Sequence, residues 1–223
     1  MNLAYVLDMP LPEVASWASE HGFTPEELAW IQPGYSPPIL PFVPMGGGTN
    51  GAVSVVHALG NGDLIVAGDF TEAGGVAAQR IARWNGSAYT ALGAGLQGEV
   101  TCMVSLGTDV YVGGSMLNGP ADLARWDGNT WTFSTVFDGK SPRINALHVH
   151  NNMLYAAGEQ VGFAGVIDLV MRMNGSAWEP VGSPLNATIH ALATHNGGVV
   201  AAGAFTNLMS TGTPVIAHIA ELE

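Results

Sequence analysis

The sequence contains little charge and a single cysteine. Cys102 cannot form an intrachain disulfide, and one cysteine excludes a cysteine-rich metal site. Charged residues make up 11% of the 223 positions, and Lys140 is the only lysine. Acidic residues outnumber Lys and Arg by 18 to 6, which gives a formal net charge of -12. This charge disfavours attraction to nucleic acid and to anionic lipid.

Long apolar runs are missing as well. No stretch approaches the roughly 18 to 20 apolar residues that a membrane-spanning helix needs. Residues 1–5 contain neither the basic region nor the start of an apolar core that a signal peptide has. We therefore expect no membrane insertion and no signal-dependent export.

Glycine is abundant instead, with 30 residues, and several glycines recur at a regular spacing. The segment 64–68 (LIVAG) returns at 110–114, 154–158 and 199–203, so its last glycine repeats after 46, 44 and 45 residues. A second strand precedes each of these segments and begins at Val53, Val100, Ile144 or Ile189. The β-branched, glycine-bounded runs indicate strands rather than helices.

Turn signals recur with the same period. Arg-Trp-Asn-Gly at 83–86 returns as Arg-Trp-Asp-Gly at 125–128, as Arg-Met-Asn-Gly at 172–175 and in decayed form at 218–221. Asn-Gly and Asp-Gly are strong hairpin signals, and we expect positive φ at both turn residues. A strand that opens with an aromatic residue follows each of the first three turns.

Each repeat therefore contains four short strands, a to d, in about 45 residues, which is the spacing of a β-propeller blade. We expect an all-β fold, a four-bladed β-propeller over residues 39–223. The blades are expected at roughly 52–98, 99–141, 142–186 and 187–223, with residues 39–51 added to the last one.

The fourth repeat reaches Glu223 before its strand d. Residues 41–46 align with the missing strand, so we expect the N-terminal strand to complete the fourth blade and close the ring. A half-ring that pairs with a second copy to give eight blades is the alternative, because the sequence defines the repeat and not its closure.

The run GDFTEAGGV at 68–76 and the run RIARWNG at 80–86 resemble the kelch-like propeller repeats that are common in bacterial and phage surface proteins. The resemblance extends over residues 39–223. It implies a propeller, an architecture that serves binding platforms and enzymes alike.

Residues 1–38 do not belong to the repeat. Their pattern predicts a short strand, two short helices at 12–21 and 24–31, and a proline-rich exit. The motifs VASWA and GFTPEEL resemble a LysM module, which implies an N-acetylglucosamine polymer as ligand. We expect a helical docking segment, with glycan binding as the alternative. The candidate contact residues are Trp17, Phe23, Trp30 and Tyr35.

Residues suited to catalysis are sparse. His57 and His148 hold equivalent positions in strand a of repeats one and three, where a four-bladed ring would make them face each other across the axis. They are candidate metal ligands, but no carboxylate cluster supports them, and we expect no metal. No recurring carboxylate pair and no nucleophile elbow is present. We expect no catalytic residue, no cofactor and no enzyme activity.

The remaining conspicuous residues have structural explanations. Arg83, Arg125 and Arg172 share one repeat position and are expected to bridge neighbouring blades through carboxylates or carbonyls. Cys102 aligns with small residues and is expected in the core. Aromatic residues at the hairpin of strands c and d are expected to pack blade against blade: Trp84, Tyr89, Trp126, Trp131 and Trp178.

These observations favour a non-enzymatic structural or interaction protein. We expect a phage virion component, such as a decoration, tail or adaptor protein, that is present in multiple copies and binds other proteins. A virion location is expected, with the cytoplasm or the cell surface otherwise. A glycan- or peptidoglycan-binding surface module is the alternative, and a propeller hydrolase comes third.

Overall fold

The computed structural model describes residue 20 and residues 43–137, 142–162, 165–207 and 218–222. All strands among them pair antiparallel and belong to one compact unit, Pro44–Glu223. The predicted all-β class is therefore confirmed for the described residues. The predictions for residues 1–38, including Trp17, Phe23, Trp30 and Tyr35, lie outside that part. Among the described residues, no helix is long and apolar enough to cross a membrane.

The chain forms seventeen strands in its described part. They are β1 (Ala52–Ala58), β2 (Leu64–Asp69), β3 (Glu72–Ala73), β4 (Val76–Ala77), β5 (Ile81–Trp84), β6 (Tyr89–Ala91), β7 (Glu99–Leu106), β8 (Asp109–Ser115), β9 (Leu123–Trp126), β10 (Trp131–Ser134), β11 (Arg143–His150), β12 (Met153–Gly162), β13 (Gly165–Asn174), β14 (Ala177–Leu185), β15 (Ile189–His195), β16 (Gly198–Gly203) and β17 (Ile219–Leu222).

Four of the sheets follow the sequence repeat. Sheet 1 has the order β1-β2-β5-β6, sheet 2 contains β7 to β10, sheet 3 contains β11 to β14, and sheet 4 contains β15 to β17. The first three sheets each contain four strands in the predicted order a to d. The pair β3 and β4 forms a small separate hairpin between strands b and c of the first repeat.

The recurring glycines lie in strand b opposite a β-bulge in strand a. The pairing register shifts between Val53 and Val55, and it shifts at the equivalent position in the other three sheets. A Cβ on any of these glycines would collide with a backbone carbonyl oxygen at the start of strand a. The glycines are Gly68, Gly114, Gly158 and Gly203. This close approach explains why glycine recurs in every repeat.

Adjacent sheets pack face to face in chain order. We call the face that a sheet turns to the next sheet its forward face, and the opposite one its rear face. Strands β1, β7, β11 and β15 contact one another in that order. Three buried clusters join forward to rear faces, with Ile81 and Val112 between sheets 1 and 2, Leu123 and Leu154 between sheets 2 and 3, and Val170 and Val199 between sheets 3 and 4.

The hairpins between strands c and d form at the predicted places but with different backbone geometry. Gly86, Gly128 and Gly175 have positive φ, whereas Asn85, Asp127 and Asn174 do not. The prediction of positive φ at both turn residues is therefore wrong. The side-chain oxygens of Asn85 and Asp127 each accept two backbone N–H groups of their own turn, which stabilises a four-residue loop instead.

The fourth repeat has a different register from the one expected. Val199 pairs with Leu222 as Leu64 pairs with Trp84, so Leu222 and not Ile219 stands at the tryptophan position. The alignment of 218–221 with the turn motif is three residues out of register. Glu221 consequently replaces the repeated arginine, and a short apolar side chain replaces the indole.

The predicted ring closure is not observed in the described residues. Residues 39–42 lie outside them, and residues 44–46 form no strand. The segment that leads into sheet 1 nevertheless resembles the crossing, the segment that leads from sheet 1 into sheet 2. A Cβ on Gly46 would collide with the Trp84 ring, and a Cβ on Gly93 would crowd the Trp126 ring. The described part of sheet 4 has three strands, and its completion by the N-terminal strand stays a prediction.

Candidate binding site

The repeated arginines form ion pairs inside their own sheets. Arg83 binds Asp63 and Arg125 binds Asp109, each acid lying in or beside the turn between strands a and b. Arg172 binds Glu179 of the neighbouring strand. The expectation that these arginines bridge neighbouring blades is therefore wrong. Sequence reasoning missed that Asp63 and Asp109 hold one repeat position, directly before strand segments 64–68 and 110–114; Met153 stands there in the third repeat, where Glu179 supplies the acid instead.

One arginine outside the repeat motif does bridge two sheets. Arg143 at the start of β11 donates two hydrogen bonds to the Glu99 carboxylate at the start of β7, at 2.5 and 3.0 Å. This pairing holds the pKa of Glu99 below its ordinary value. Both side chains are partly solvent-exposed, so we expect the pair to orient the sheets more than to stabilise them.

The five predicted packing aromatics lie against the core clusters. Trp84 contacts Tyr89 at a ring-centroid distance of 4.7 Å, and Trp126 contacts Trp131 at 5.0 Å. Trp131 also donates a hydrogen bond from Nε1 to the Leu92 carbonyl at 2.8 Å, which links sheet 2 to the crossing from sheet 1. Trp178 packs against the cluster between sheets 2 and 3.

A groove lies between sheets 1 and 2 beside these rings. Its volume is about 360 Å³. Three aromatic rings and four exposed carboxamide side chains line it: Trp126, Trp131, Phe133, Gln79, Gln97, Asn118 and Asn129. Aromatic faces beside carboxamides suit a neutral polyhydroxyl ligand, because rings stack on apolar sugar faces while amides bind hydroxyls.

His57 and His148 bond to the next sheet, and no contact between the two is observed among the described residues. His57 Nε2 lies 2.6 Å from Ser105 Oγ, and His148 Nε2 lies 2.8 Å from Thr194 Oγ1. Ser105 and Thr194 hold one repeat position, so the histidine–hydroxyl pair recurs at two sheet boundaries. Burial lowers the pKa of both histidines, which favours neutral imidazoles that join sheets.

A hydrogen-bonded chain extends the His148 pair. The Asn151 amide lies 2.9 Å from His150 Nε2, and His150 Nδ1 lies 3.0 Å from Thr194 Oγ1. If Asn151 donates, His150 carries its proton on Nδ1 and Thr194 donates to His148. Each of the three hydrogen bonds then has one donor and one acceptor, and both rings are neutral. Within the described residues no group of three or more His, Cys, Asp or Glu side chains could hold a metal ion.

Two buried carboxylates bind backbone N–H groups that follow strand d of their own sheets. Asp122 accepts the backbone N–H groups of Val136 and Phe137, at 2.7 and 3.0 Å. Asp168 accepts the N–H of Ile189, the first residue of sheet 4, at 3.0 Å. Sequence reasoning missed both because they do not share a repeat position: Asp122 aligns with Arg80 and His218, whereas Leu169 stands there in the third repeat. Burial raises the pKa of Asp168.

Cys102 lies in the boundary between sheets 2 and 3, where it packs against the apolar cluster. Burial raises the pKa of its thiol to about 11, so the thiolate is scarce at neutral pH. This environment agrees with the predicted packing role.

Apolar side chains remain exposed at the two ends of the series of sheets. On forward faces, Ile81, Leu123 and Val170 are at most 3% exposed, while the equivalent Ile219 of sheet 4 is 56% exposed. Beside the rear face of sheet 1, Met45 is 41% exposed, whereas the equivalent Leu92 beside sheet 2 is 3% exposed. Val56 of β1 is 60% exposed. Isolated exposed apolar residues are ordinary, but Met45 and Ile219 occupy positions that are buried in other repeats, and Val56 occupies one that is partly buried in the other three.

Comparison with protein-family models finds no match, and comparison with curated protein sequences finds none either. The kelch-like and LysM-like resemblances therefore remain expectations from the residues themselves.

Proposed function

We propose that the chain is a non-enzymatic structural protein of a multi-copy assembly, such as a phage particle. Its four sheets act as the blades of a β-propeller that binds other proteins, and residues 1–38 act as a docking segment. The proposal rests on one observation above all, the exposed apolar faces at both ends of the series of sheets. Such faces are typical of protein–protein contact sites.

The repeated construction supports the propeller part of the proposal. Successive sheets bury apolar clusters between them, and strand a of each sheet contacts strand a of the next. Blades in a propeller stack in this manner around a central axis. The net charge of -12 supports a protein partner rather than nucleic acid.

Particle purification tests the assembly part. Particles from producing cells are separated on a density gradient, and the amount of the chain per particle is measured by mass spectrometry. We expect full-length chain to co-purify in a constant ratio and the Trp17→Ala/Trp30→Ala variant to be depleted. Met116→Ala, which alters an exposed loop of sheet 2, is the control and is expected to co-purify normally. Absence of the unaltered chain from particles contradicts the proposal.

The groove beside Trp126, Trp131 and Phe133 supports a second candidate, glycan binding. We expect Asn118→Ala/Asn129→Ala to weaken retention on insoluble peptidoglycan or chitin if the groove is the site. Asn61→Ala, in a turn of sheet 1, provides the matched control. Loss of retention only in the Trp17→Ala/Trp30→Ala variant would assign glycan binding to residues 1–38 instead. No retention of the unaltered chain removes this candidate.

A further inference from the structure

We infer that the forward face of sheet 4 binds the rear face of sheet 1 in a second copy of this chain, and that two copies close a ring of eight sheets. This inference rests on the propeller part of the proposed function and not on the virion assignment. The partner's chemistry is therefore that of the chain's own first sheet.

The two open faces continue the interfaces between sheets inside the chain. Each internal boundary joins a forward face to a rear face, and this occurs three times. Only the forward face of sheet 4 and the rear face of sheet 1 lack such a partner among the described residues. The outer half of that rear face is covered by its own Phe70 and β3–β4 hairpin, whereas Val56 of the innermost strand stays exposed.

Residues in strand a show that the two open faces match in polarity. The side chain at one repeat position of strand a points forward, and the side chain at the next position points to the rear. At each boundary inside the chain, the forward-pointing side chain of one sheet meets the rear-pointing side chain of the next sheet. Across sheets 1 and 2 they are His57 and Ser105, which are hydrogen-bonded, and across sheets 3 and 4 they are His148 and Thr194. Across sheets 2 and 3 they are Val104 and Val149, both in the apolar cluster.

The same two positions on the open faces are Ala193 and Ala58. Both are exposed in the single chain, and neither has a hydrogen-bonding group in its side chain. An alanine opposite an alanine keeps the contact apolar, as the boundary with Val104 and Val149 is. A histidine or a hydroxyl on one face alone would have been left without its usual partner.

A second copy is the occupant that this geometry fits. When copies join forward face to rear face in an open row, one forward face and one rear face stay free at its two ends. Only a closed ring of copies uses every such face. With two copies, both contacts are identical by two-fold symmetry. Filling these faces also removes Val56, Met45 and Ile219 from water, which supplies the driving force.

The test measures mass and then exchanges charges across the contact. Light scattering after gel filtration is expected to give twice the chain mass of 23.1 kDa for the unaltered protein. Ala58→Asp and Ala193→Lys each place one unpaired charge in both contacts of a homodimer, so each variant alone is expected to be monomeric. Circular dichroism and thermal unfolding verify that each variant is folded.

Mixing the two variants is the decisive step. A mixed dimer has one unaltered contact and one contact in which the new carboxylate meets the new ammonium group, so we expect the dimer mass to return. Native mass spectrometry with one variant isotope-labelled identifies the one-to-one species. Met116→Asp is the control, because Met116 is as exposed as Val56 but belongs to a loop of sheet 2. It is expected to stay dimeric.

Three results overturn the inference. A monomeric unaltered chain indicates that the faces are closed within the chain or remain open. A dimer that survives both single substitutions uses another surface. A mass of three or more copies excludes the eight-sheet ring. None of these results affects the association with particles, so the proposed function is judged separately.

Discussion

Asp168 illustrates how one buried carboxylate connects two sheets. It accepts the N–H of Ile189 across the boundary between sheets 3 and 4, and almost none of its surface reaches solvent. Burial raises its pKa above the ordinary value, so the folded protein retains this proton to a higher pH than the unfolded chain does. The contribution to stability is therefore greatest at low pH and declines as the pH rises from about 4 through the folded pKa.

Asp168→Asn is expected to raise the free energy of unfolding at neutral pH. The amide keeps an oxygen acceptor for Ile189 and cannot ionise. The gain over the unaltered chain should be larger at pH 7.5 than at pH 4.5, as measured by urea unfolding. Asp168→Ala is the matched comparison and should lose about 1 to 3 kcal/mol, because the Ile189 N–H is left without its partner. An equal effect of the Asn variant at both pH values contradicts this account.

Single residues of this kind were the least predictable part of the chain. Trp84 and Trp126 could be assigned to packing because their spacing repeats. Asp168 could not be assigned, because it does not share a repeat position with Asp122, the other buried carboxylate. The acid partners of Arg83 and Arg172 come from different turns and strands, so only coordinates identify them.

At the scale of the element, the recurring glycine and the opposing bulge act as one unit. Gly114 lies in strand b where β7 bulges, and a Cβ there would collide with the Glu99 carbonyl oxygen. The Leu117 side chain closes the other side. Backbone atoms cannot move aside as flexible side chains can, so the pair of strands would have to separate locally.

Gly114→Ala is therefore expected to destabilise the protein by about 1 to 3 kcal/mol, the usual range for overpacking. Thermal and urea unfolding measure the loss. Gly60→Ala is the control, because a Cβ there meets no atom within 4 Å and the backbone needs no positive φ. That variant should be unchanged or slightly stabilised, since alanine restricts the unfolded chain. If both variants lose equal stability, the collision is not the reason for the glycine.

Elements were more predictable than residues because strand, turn and glycine signals repeat. The strand starts near Val53, Val100, Ile144 and Ile189 and the strand order of the first three sheets follow from that period. The turn geometry at Asn85 did not follow. The dipeptide Asn-Gly fits two kinds of hairpin, and the Asn85 side chain selects the four-residue loop by bonding its own backbone.

At the scale of the whole molecule, ring closure depends on which outer sheet faces contact each other, and the sequence repeat does not determine this. The spacing predicts four sheets per chain, and both a closed four-bladed ring and a half-ring of eight are compatible with it. The exposed Ile219 at a position that is buried in the three preceding sheets favours the second arrangement. The local sequence does not predict this difference in exposure, because isoleucine occupies the position in both sheets and only the residues packed around it differ.

The net charge of -12 leads to a prediction for the two-copy ring. Two copies repel each other electrostatically, while the proposed contact is apolar, so added salt should tighten the dimer. We expect the dimer dissociation constant to fall severalfold between about 20 and 200 mM NaCl, since the Debye length shrinks from roughly 20 to below 10 Å. Analytical ultracentrifugation across this range measures it. The mixed dimer of Ala58→Asp and Ala193→Lys should respond less, because salt also weakens its one added ion pair. A dimer that dissociates as salt rises would instead indicate a contact held by ion pairs, which the alanine positions cannot supply.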